Sequence, residues 1–346
     1  MTRQTQTWKW AALMMTALLW TLAGCGSGNT DKGADKGASS AADKGKTASD
    51  KGAQSAKGPA DGAPGSKSAP LRVMLVPADG GTEQGTRADY EPLFNAITKD
   101  TGLHFNIKVG QSYNAVVEAA VGKKIDIAFF GPITYHQARQ RGAVELLAVA
   151  VSKGKSVYYS GIFVAKESGI GSLTDLKGKS VAFGDVNSTS SFNFPLAMII
   201  DAGLDPVKDL GKVNMTGSHA NSLTALAAGK VDAACASVTS YEKAVKGGQI
   251  DPQKVVLLAT SEPIPYPPLA LHKDLPAPLK KTLKDAFNTI HTQPQIKPEM
   301  IRGYGGKKVD RYDANYPEAE FDKAMGKLAK VTENLKAELL KKATAQ

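Results

Sequence analysis

The 346-residue sequence contains only two cysteines, Cys25 and Cys235, and five histidines. Because Cys25 lies at the end of an export leader, Cys235 has no partner for an intramolecular disulfide, and packing must stabilise the fold. No cysteine and histidine pairing and no histidine or carboxylate set at metal-ligand spacing is evident. These absences argue against a metal site, a cofactor and an enzyme.

The sequence also lacks the interleaved basic and aromatic residues that are typical of nucleic-acid surfaces. Its formal net charge is +10, but the lysines are spread through an N-terminal linker and the C-terminal helices. We therefore expect no nucleic-acid partner. A cationic surface can still attract an anionic ligand or a membrane.

Residues 1–24 have the features of a secretory signal peptide, with a short basic start, an apolar core of 10–22 and small residues at its end. The apolar core is too short for a comfortable membrane span. Leu-Ala-Gly-Cys at 22–25 resembles the lipobox of bacterial lipoproteins. By that resemblance, Cys25 becomes the acylated first residue of an exported protein that is anchored to a cell-envelope membrane.

Residues 25–70 consist almost entirely of Gly, Ala, Ser, Asp and Lys, and Asp-Lys-Gly recurs at Asp31, Asp35, Asp43 and Asp50. With few apolar side chains to bury, this composition predicts a disordered tether. From residue 71 onwards, about 275 residues remain, which is enough for two domains with proper cores.

In this remaining part, β-prone runs alternate with helical patterns, which predicts an α/β fold with mostly parallel sheets. Ligands of such sheets bind beyond the carboxyl ends of strands. The run at 125–128 resembles the run at 231–236. Each is preceded by Gly-Lys and has an aspartate at the entry of its strand. The two halves of the chain therefore look alike.

The chain is organised around residues 181–200. A β-prone run breaks at Gly184, passes through Ser188, Thr189 and Ser190, and opens into an apolar helix with Pro195 in its first turn. Unpaired N–H groups at such a helix start can hold a small oxyanion, and the hydroxyls add donors. One hydroxyl can also serve merely as the helix cap.

Other candidates lie in similar positions. Tyr113 follows a strand and starts a helix, where its phenol can reach an anion or its ring can pack on the sheet edge. His219 also begins a helix, although a lone histidine is more often structural. Tyr135 follows the third strand, where it can simply fill an interdomain seam.

Six segments in this order resemble the phosphonate/phosphite-binding family of solute-binding lipoproteins that serve ABC importers. They are Lys-Ile-Asp-Ile-Ala-Phe-Phe-Gly-Pro-Ile-Thr-Tyr (124–135), Tyr-Tyr-Ser-Gly-Ile-Phe-Val (158–164), Ser-Leu-Thr-Asp-Leu-Lys-Gly-Lys (172–179), Asn-Ser-Thr-Ser-Ser (187–191), Gly-Ser-His (217–219) and Ser-Glu-Pro-Ile-Pro (261–265). The resemblance covers residues 71 to about 330.

The resemblance implies a two-lobe clamp of the type II periplasmic-binding-protein architecture, with two crossing hinge strands. Lobe 1 would be discontinuous, comprising residues 71–158 and 265–346, and lobe 2 would comprise residues 159–264. The tail after 278 is predicted to be helical and to belong to lobe 1. The implied partner is an ABC permease that receives the ligand.

The resemblance also implies which residues bind the ligand. The oxyanion would lie on the Ser188, Thr189 and Ser190 helix start, with tyrosine hydroxyls and a histidine completing its shell. This assignment adds Tyr159 to the residues already considered and strengthens His219. The further candidates are Tyr135, Ser191, Glu262 and Tyr266.

The expected ligand is phosphite or a short alkyl phosphonate such as methylphosphonate. Relatives that take aminoalkyl phosphonates place an acid after the Pro-Ile-Pro segment, whereas here Tyr266, Pro267 and Pro268 follow it. This departure disfavours 2-aminoethylphosphonate. Phosphate, sulfate or another oxyanion, and a role as the anion-binding subunit of a sensor, remain open alternatives.

Overall fold

The computed structural model describes residues 58–78 and 82–345. The predicted signal peptide, Cys25 and the predicted tether up to residue 57 lie outside the described residues. Within the described ranges, no helix combines the length and the apolar character that a membrane crossing requires.

Strands and helices alternate through most of the described chain. The strands are β1 Leu71–Leu75, β2 Phe105–Val109, β3 Ile127–Phe129, β4 Val144–Val151, β5 Val157–Tyr158, β6 Ser160–Ala165, β7 Val181–Phe183, β8 Val213–Met215, β9 Ala233–Ser237, β10 Val255–Thr260, β11 Ile264–Pro265, β12 Pro268–His272 and β13 Arg311–Asp313. The helices are α1 Glu83–Thr101, α2 Tyr113–Val121, α3 Pro132–Gln140, α4 Phe194–Asp201, α5 His219–Ala227, α6 Val238–Lys246, α7 Ala277–Thr289, α8 Ala319–Gly326 and α9 Glu333–Thr344.

Six strands form one sheet in the order β13-β4-β12-β3-β1-β2, and we call the part built on it lobe 1. Five strands form a second sheet in the order β10-β6-β9-β7-β8, and we call the part built on it lobe 2. The apolar side chains of Leu71, Val73 and Leu75 on β1 and of Val181 and Phe183 on β7 are buried. Each lobe therefore has a buried central strand, which is typical of α/β domains.

Both sheets are mixed, although the sequence predicts mostly parallel ones. β1 pairs in parallel with β2 and β3, and β7 pairs in parallel with β8 and β9. β12 runs antiparallel between β3 and β4, and β6 runs antiparallel to β9 and β10. β6 and β12 are the strands that follow a passage between the lobes, so the crossing chain introduces these antiparallel pairs, and β13 adds a further one on β4.

Two short strands carry the chain between the lobes. β5 leads from lobe 1 to lobe 2, β11 leads back, and the two pair antiparallel with Tyr158 opposite Ile264. The two crossing strands that the resemblance implied are thus present, and the chain has the two-lobe clamp architecture.

The repeated aspartates perform the same task in each lobe. The Asp126 carboxylate accepts a hydrogen bond at 2.8 Å from the backbone N–H of Arg72, the second residue of β1. The Asp232 carboxylate accepts from the backbone N–H of Ser180 at 2.7 Å, just before β7. Each aspartate therefore joins the entry of its strand to the entry of the neighbouring parallel strand. The carboxyl ends of these strands lie at the opposite edge of each sheet.

The C-terminal tail does not belong to lobe 1 alone, which corrects the prediction for α9. α7 packs on β4 and β13, and α8 packs on α3. α9 instead packs on β8 of lobe 2, where the Lys342 ammonium donates to the carbonyl of Val207 at 2.7 Å. Leu339 of α9 is fully buried. Since β8 is an edge strand, the helix covers an edge that would otherwise lie open.

Residues 58–70 are also different from the prediction, which assigned them to the disordered tether. They form turns against lobe 1, where the carbonyl of Gly65 accepts from the backbone N–H of His104 at 2.8 Å. Within the turns, the N–H of Ala69 donates to the Ser66 hydroxyl at 3.1 Å and that of Gly62 to the Ser68 hydroxyl at 3.0 Å. Serine hydroxyls thus accept hydrogen bonds from backbone N–H groups and hold the turns in place, which amino-acid composition alone does not predict.

This difference can be tested with a chain that begins at residue 71 and one that begins at residue 58. We predict that the shorter chain melts a few degrees lower, because it loses several hydrogen bonds worth about 1 kcal/mol each. Thermal unfolding followed by circular dichroism measures the shift. Equal melting temperatures would contradict a structural role for residues 58–70.

Candidate functional site

The serine stretch forms the strand, loop and helix start that the sequence predicts. β7 ends at Phe183, and residues 189–193 make one π-helical turn before α4 begins at Phe194. The Ser188 hydroxyl caps this turn by accepting from the N–H of Ser191 at 3.1 Å. The simple capping role is thus correct for Ser188. All four hydroxyl residues, 188–191, are buried.

A small cavity lies where the serine stretch of lobe 2 meets the strand ends of lobe 1. Its volume is about 10 Å³, which is close to the space that a single water molecule needs. A ligand larger than a water molecule therefore requires the lobes to part slightly. It is lined by Val76, Ala78, Tyr113, Phe129, Gly131, Tyr158, Ser188, Thr189, Ser190, His219, Pro267 and Tyr304.

The lining combines polar and apolar residues. Hydroxyl residues 188–190, Tyr113 and His219 supply hydrogen-bonding groups, whereas Phe129, Tyr158, Pro267 and Tyr304 supply mainly rings. No carboxylate or ammonium side chain of the described residues belongs to the lining. Within the same residues, no group of three or more histidine, cysteine or acidic side chains is placed to hold a metal ion.

His219 is oriented by a single backbone hydrogen bond. The N–H of Ser237 donates to its Nδ1 at 2.8 Å, so Nδ1 acts as an acceptor. Full burial lowers the pKa of His219 to about 3, and the ring is therefore neutral at physiological pH. Its one proton must then be on Nε2, which lies 3.3 Å from the Tyr113 hydroxyl and 3.4 Å from that of Ser188.

Tyr113 connects the lobes at this point. It is the first residue of α2 in lobe 1 and is buried, and its phenol contacts His219 of lobe 2. Its backbone N–H donates to the Asp185 carboxylate of lobe 2 at 3.3 Å. Thr189 makes a further crossing, because its hydroxyl accepts from the N–H of Ile133 at 3.0 Å. The predicted residues Tyr113, Thr189 and His219 are thus brought together across the closed seam.

Tyr159, in contrast, does not line the cavity. Its side chain is 37% exposed and borders a separate surface groove with Lys153 and Lys155. The preceding residue, Tyr158, lines the cavity instead. Successive side chains of an extended chain point to opposite sides. A shift of one residue along the chain therefore exchanges a side chain that faces the cavity for one that faces solvent.

The four further candidates also lie outside the cavity lining. The Tyr135 phenol donates to the Glu318 carboxylate at 2.6 Å, and its ring packs on Phe321 of α8. Burial raises the pKa of Tyr135 well above its usual range. Glu262 is paired with Lys327 on the surface.

The remaining two candidates are packed within the lobes. The Ser191 hydroxyl is buried without a hydrogen-bond partner among the described residues, and a Cβ at Gly184 would overlap it. The ring of Tyr266 packs edge-on against Tyr158, with centroids 6.2 Å apart. Both side chains therefore support the site from outside.

Sequence reasoning missed most of the apolar half of the cavity. Phe129 and Gly131 lie at the carboxyl end of β3, a position that the strand pattern does indicate. Tyr304 comes from a short turn almost 200 residues after Tyr113, within Gly-Tyr-Gly-Gly. Only the tertiary fold brings it to the cavity.

Comparison with known proteins identifies the family of this two-lobe fold. The model of a family described as the phosphonate periplasmic substrate-binding protein of ABC transporters matches residues 81–313. The chain belongs to this family. The predicted resemblance is confirmed.

Two characterised relatives are similar in sequence. The phosphate-import protein PhnD of Mycolicibacterium smegmatis is 31% identical over 207 residues, which cover 56% of this chain and 63% of that one. The phosphonates-binding periplasmic protein of Escherichia coli is 26% identical over 226 residues, covering 64% and 67%. The match to the first relative thus spans less than two thirds of its length.

Two solved structures share the fold. A binding protein component of an ABC phosphonate transporter from Pseudomonas aeruginosa has a TM-score of 0.64 and 21% identity, covering 80% of this chain and 95% of that one. PhnD1 from Prochlorococcus marinus, in complex with methylphosphonate, has a TM-score of 0.65 and 19% identity, covering 75% and 97%. Both support the periplasmic-binding-protein architecture.

The neutral state of His219 gives a test of its environment. The unfolded chain binds a proton at this residue below about pH 6.5, whereas the folded chain does so only near pH 3. We predict that His219 lowers the free energy of unfolding as the pH decreases from about 6.5 to about 3, by up to about 1.4 kcal/mol per pH unit. Above about pH 6.5, His219 should add no pH dependence.

Urea unfolding at pH 7, 6, 5 and 4 gives the free energy of unfolding of the wild type and of His219→Gln. The contribution of His219 is the difference between the two proteins in how steeply this free energy changes with pH. The glutamine variant should lack the extra loss of stability at low pH. If both proteins lose stability in parallel, the histidine is not buried in its neutral form.

Proposed function

We propose that this member of the phosphonate-binding family captures phosphite or a small phosphonate similar to methylphosphonate and delivers it to an ABC permease. The observation that carries the proposal is the mixed lining of the cavity, which combines hydrogen-bonding groups from both lobes with aromatic rings. A phosphite or small phosphonate likewise combines oxygens with one apolar substituent.

The polar half supports an oxyanion without a formal cation. The Nε2 proton of His219, the Tyr113 phenol and the serine hydroxyls are neutral donors from buried side chains, where hydrogen bonds to an anion are strong. The π-helical turn at 189–193 adds backbone N–H groups at the start of a helical segment. If the ligand lacks one of these oxygens, a buried donor stays unpaired at a cost in free energy. The site therefore favours ligands whose number of oxygens matches its donors.

The apolar half supports a P–H or P–CH₃ group. Phe129, Tyr158 and Tyr304 offer no charged partner, so a fourth oxygen of phosphate or sulfate would be desolvated against their rings. Phosphate is the second candidate, because the Mycolicibacterium relative is a phosphate-import protein. The Prochlorococcus structure contains methylphosphonate, in line with our first choice.

An aminoalkyl phosphonate fits this cavity poorly. Its ammonium group needs a carboxylate or several acceptors when it is buried, and the described lining contains no acidic side chain. The position after β11 is taken by Tyr266 and Pro267, the second of which lines the cavity. We therefore propose that 2-aminoethylphosphonate is not the ligand.

The tautomer of His219 disfavours an enzyme. A histidine that activates a serine must accept the serine proton, but here the Ser237 N–H occupies Nδ1 and Nε2 carries the ring proton. Ser188 is meanwhile engaged as the cap of its own turn. The family relatives are substrate-binding components of transporters, which agrees with a binding role.

We further propose that the protein is exported and held to a cell-envelope membrane by acylated Cys25, with the intervening chain serving as a tether. The signal-like residues 1–24 and the lipobox-like sequence that ends at Cys25 carry this proposal. A permease is the proposed partner. A sensor subunit in its place would need the same cavity, and the genes next to this one would distinguish the two.

The proposed ligand class predicts a clear order of affinities. Isothermal titration of the full chain should detect tight binding of phosphite or methylphosphonate, weaker binding of phosphate and sulfate, and the weakest binding of 2-aminoethylphosphonate. Ser190→Ala should weaken binding at least tenfold, because the variant removes a hydroxyl that meets a charged ligand.

Ser191→Ala is the matched control, since this hydroxyl lies next in the chain, is equally buried and is outside the lining. It should leave the affinity unchanged. Gly131→Ala adds a Cβ that would lie 3.4 Å from the Thr189 hydroxyl and 3.6 Å from the Tyr113 ring, so it should reduce the affinity by filling the cavity. Equal effects of Ser190→Ala and Ser191→Ala would reject this cavity as the site.

The lipid anchor predicts that Cys25→Ala releases the exported protein from the membrane fraction. The acylated wild type should sediment with membranes and incorporate labelled fatty acid, because a diacylated anchor binds bilayers stably. Cys235→Ala is the control and should keep both properties. If the label remains in Cys25→Ala, the anchor is at another residue.

A further inference from the structure

Tyr304 connects the tail of lobe 1 to lobe 2. Its phenol oxygen lies 3.2 Å from the Ser237 hydroxyl and 3.1 Å from the Ser240 hydroxyl. Ser237 caps α6, and Ser240 lies in the first turn of the same helix. The side chain of Tyr304 is buried, so these hydrogen bonds form away from solvent.

The ring of the same residue is a wall of the ligand cavity. It stacks on Phe129 with centroids 6.1 Å apart and meets Tyr158 edge-on at 5.8 Å. It also lies edge-on to His219, at 6.2 Å. All three neighbours belong to the cavity lining, whereas Ser237 and Ser240 do not. The ring therefore faces the ligand space while its hydroxyl is bonded behind it.

Glycines fix the turn that carries Tyr304. A Cβ at Gly303 would lie 2.8 Å from both the Tyr266 hydroxyl and Val309, and one at Gly306 would lie 2.6 Å from the Asp89 carboxylate. Gly306 also has a positive φ of 69°. Tyr304 is thus presented from a tight turn whose backbone requires glycine on both sides.

We propose that Tyr304 determines the size of the phosphorus substituent and locks the closed clamp at the same time, a role that rests on the proposed function. A substituent longer than methyl would push the ring out of the cavity wall. The phenol would then leave Ser237 and Ser240, and the closed state would lose its crossing hydrogen bonds. Ligand size is in this way coupled to closure.

Ser237 extends the coupling to the polar half of the site. Its hydroxyl contacts Tyr304, and its backbone N–H orients His219 at 2.8 Å. A displaced Tyr304 therefore disturbs the residue that fixes the histidine tautomer. Two ion pairs cross the seam nearby, Lys243 with Asp89 and Lys307 with Glu242, but neither side of these pairs lines the cavity.

The test uses the full chain and measures association and dissociation rates for phosphite, methylphosphonate and ethylphosphonate. Tyr304→Phe keeps the aromatic ring that lines the cavity and removes the hydroxyl that bonds to Ser237 and Ser240. It should speed dissociation about fivefold for every ligand and leave association nearly unchanged, because the crossing bonds form after encounter. Tyr241→Phe is the control. That phenol donates to the Val255 carbonyl within lobe 2, so its loss should alter neither rate.

Tyr304→Ala removes the wall. It should raise the affinity for ethylphosphonate relative to methylphosphonate about tenfold or more, because one methylene in an apolar pocket changes binding by this amount. Tyr304→Leu serves the same comparison if the alanine variant does not fold.

Two results would overturn the proposal. One is a Tyr304→Phe protein with wild-type dissociation rates, and the other is an unchanged preference for methylphosphonate in the alanine or leucine variant. A wild type that binds none of the three ligands would instead reject the proposed function on which this role depends.

Discussion

The hydrogen bond from the Ser237 N–H to Nδ1 of His219 fixes where the histidine proton points in the cavity. It forces the single proton of the buried, neutral ring onto Nε2, where His219 becomes a donor to the shared space with Tyr113 and Ser188. A charged histidine would attract many anions with little selectivity. A neutral donor contributes only when an acceptor oxygen lies in its direction, so the geometry of the ligand is selected as well as its charge.

The closed clamp depends on contacts that join its two lobes beside this histidine. Tyr113 bonds across the seam through both its phenol and its backbone, Thr189 receives the N–H of Ile133, and Tyr304 meets Ser237. α9 crosses separately and covers the edge strand of lobe 2. Because the seam contacts and the cavity lining share residues, we propose that closing the lobes also completes the shell of the ligand.

Much of this architecture could be predicted from local sequence patterns. The strand, loop and helix at 181–200 give a periodic signal that does not depend on distant residues, and Tyr113 and His219 lie at recognisable helix starts. Tyr158 rather than the predicted Tyr159 lines the cavity, since a motif cannot resolve which of two adjacent tyrosines points inward. Tyr304 was missed because its turn has no periodicity, and the order in residues 58–70 was missed because side-chain bonds, rather than composition, create it.

The central claim is that donors from both lobes hold the oxygens of a phosphorus oxyanion while aromatic rings meet its substituent. A crystal structure of the chain grown with methylphosphonate tests it most directly. The account predicts phosphonate oxygens within hydrogen-bonding distance of the hydroxyls of 188–190 and Nε2 of His219, with the methyl group against Phe129 and Tyr304. A phosphonate bound outside this cavity, or one whose oxygens face the rings, would contradict it.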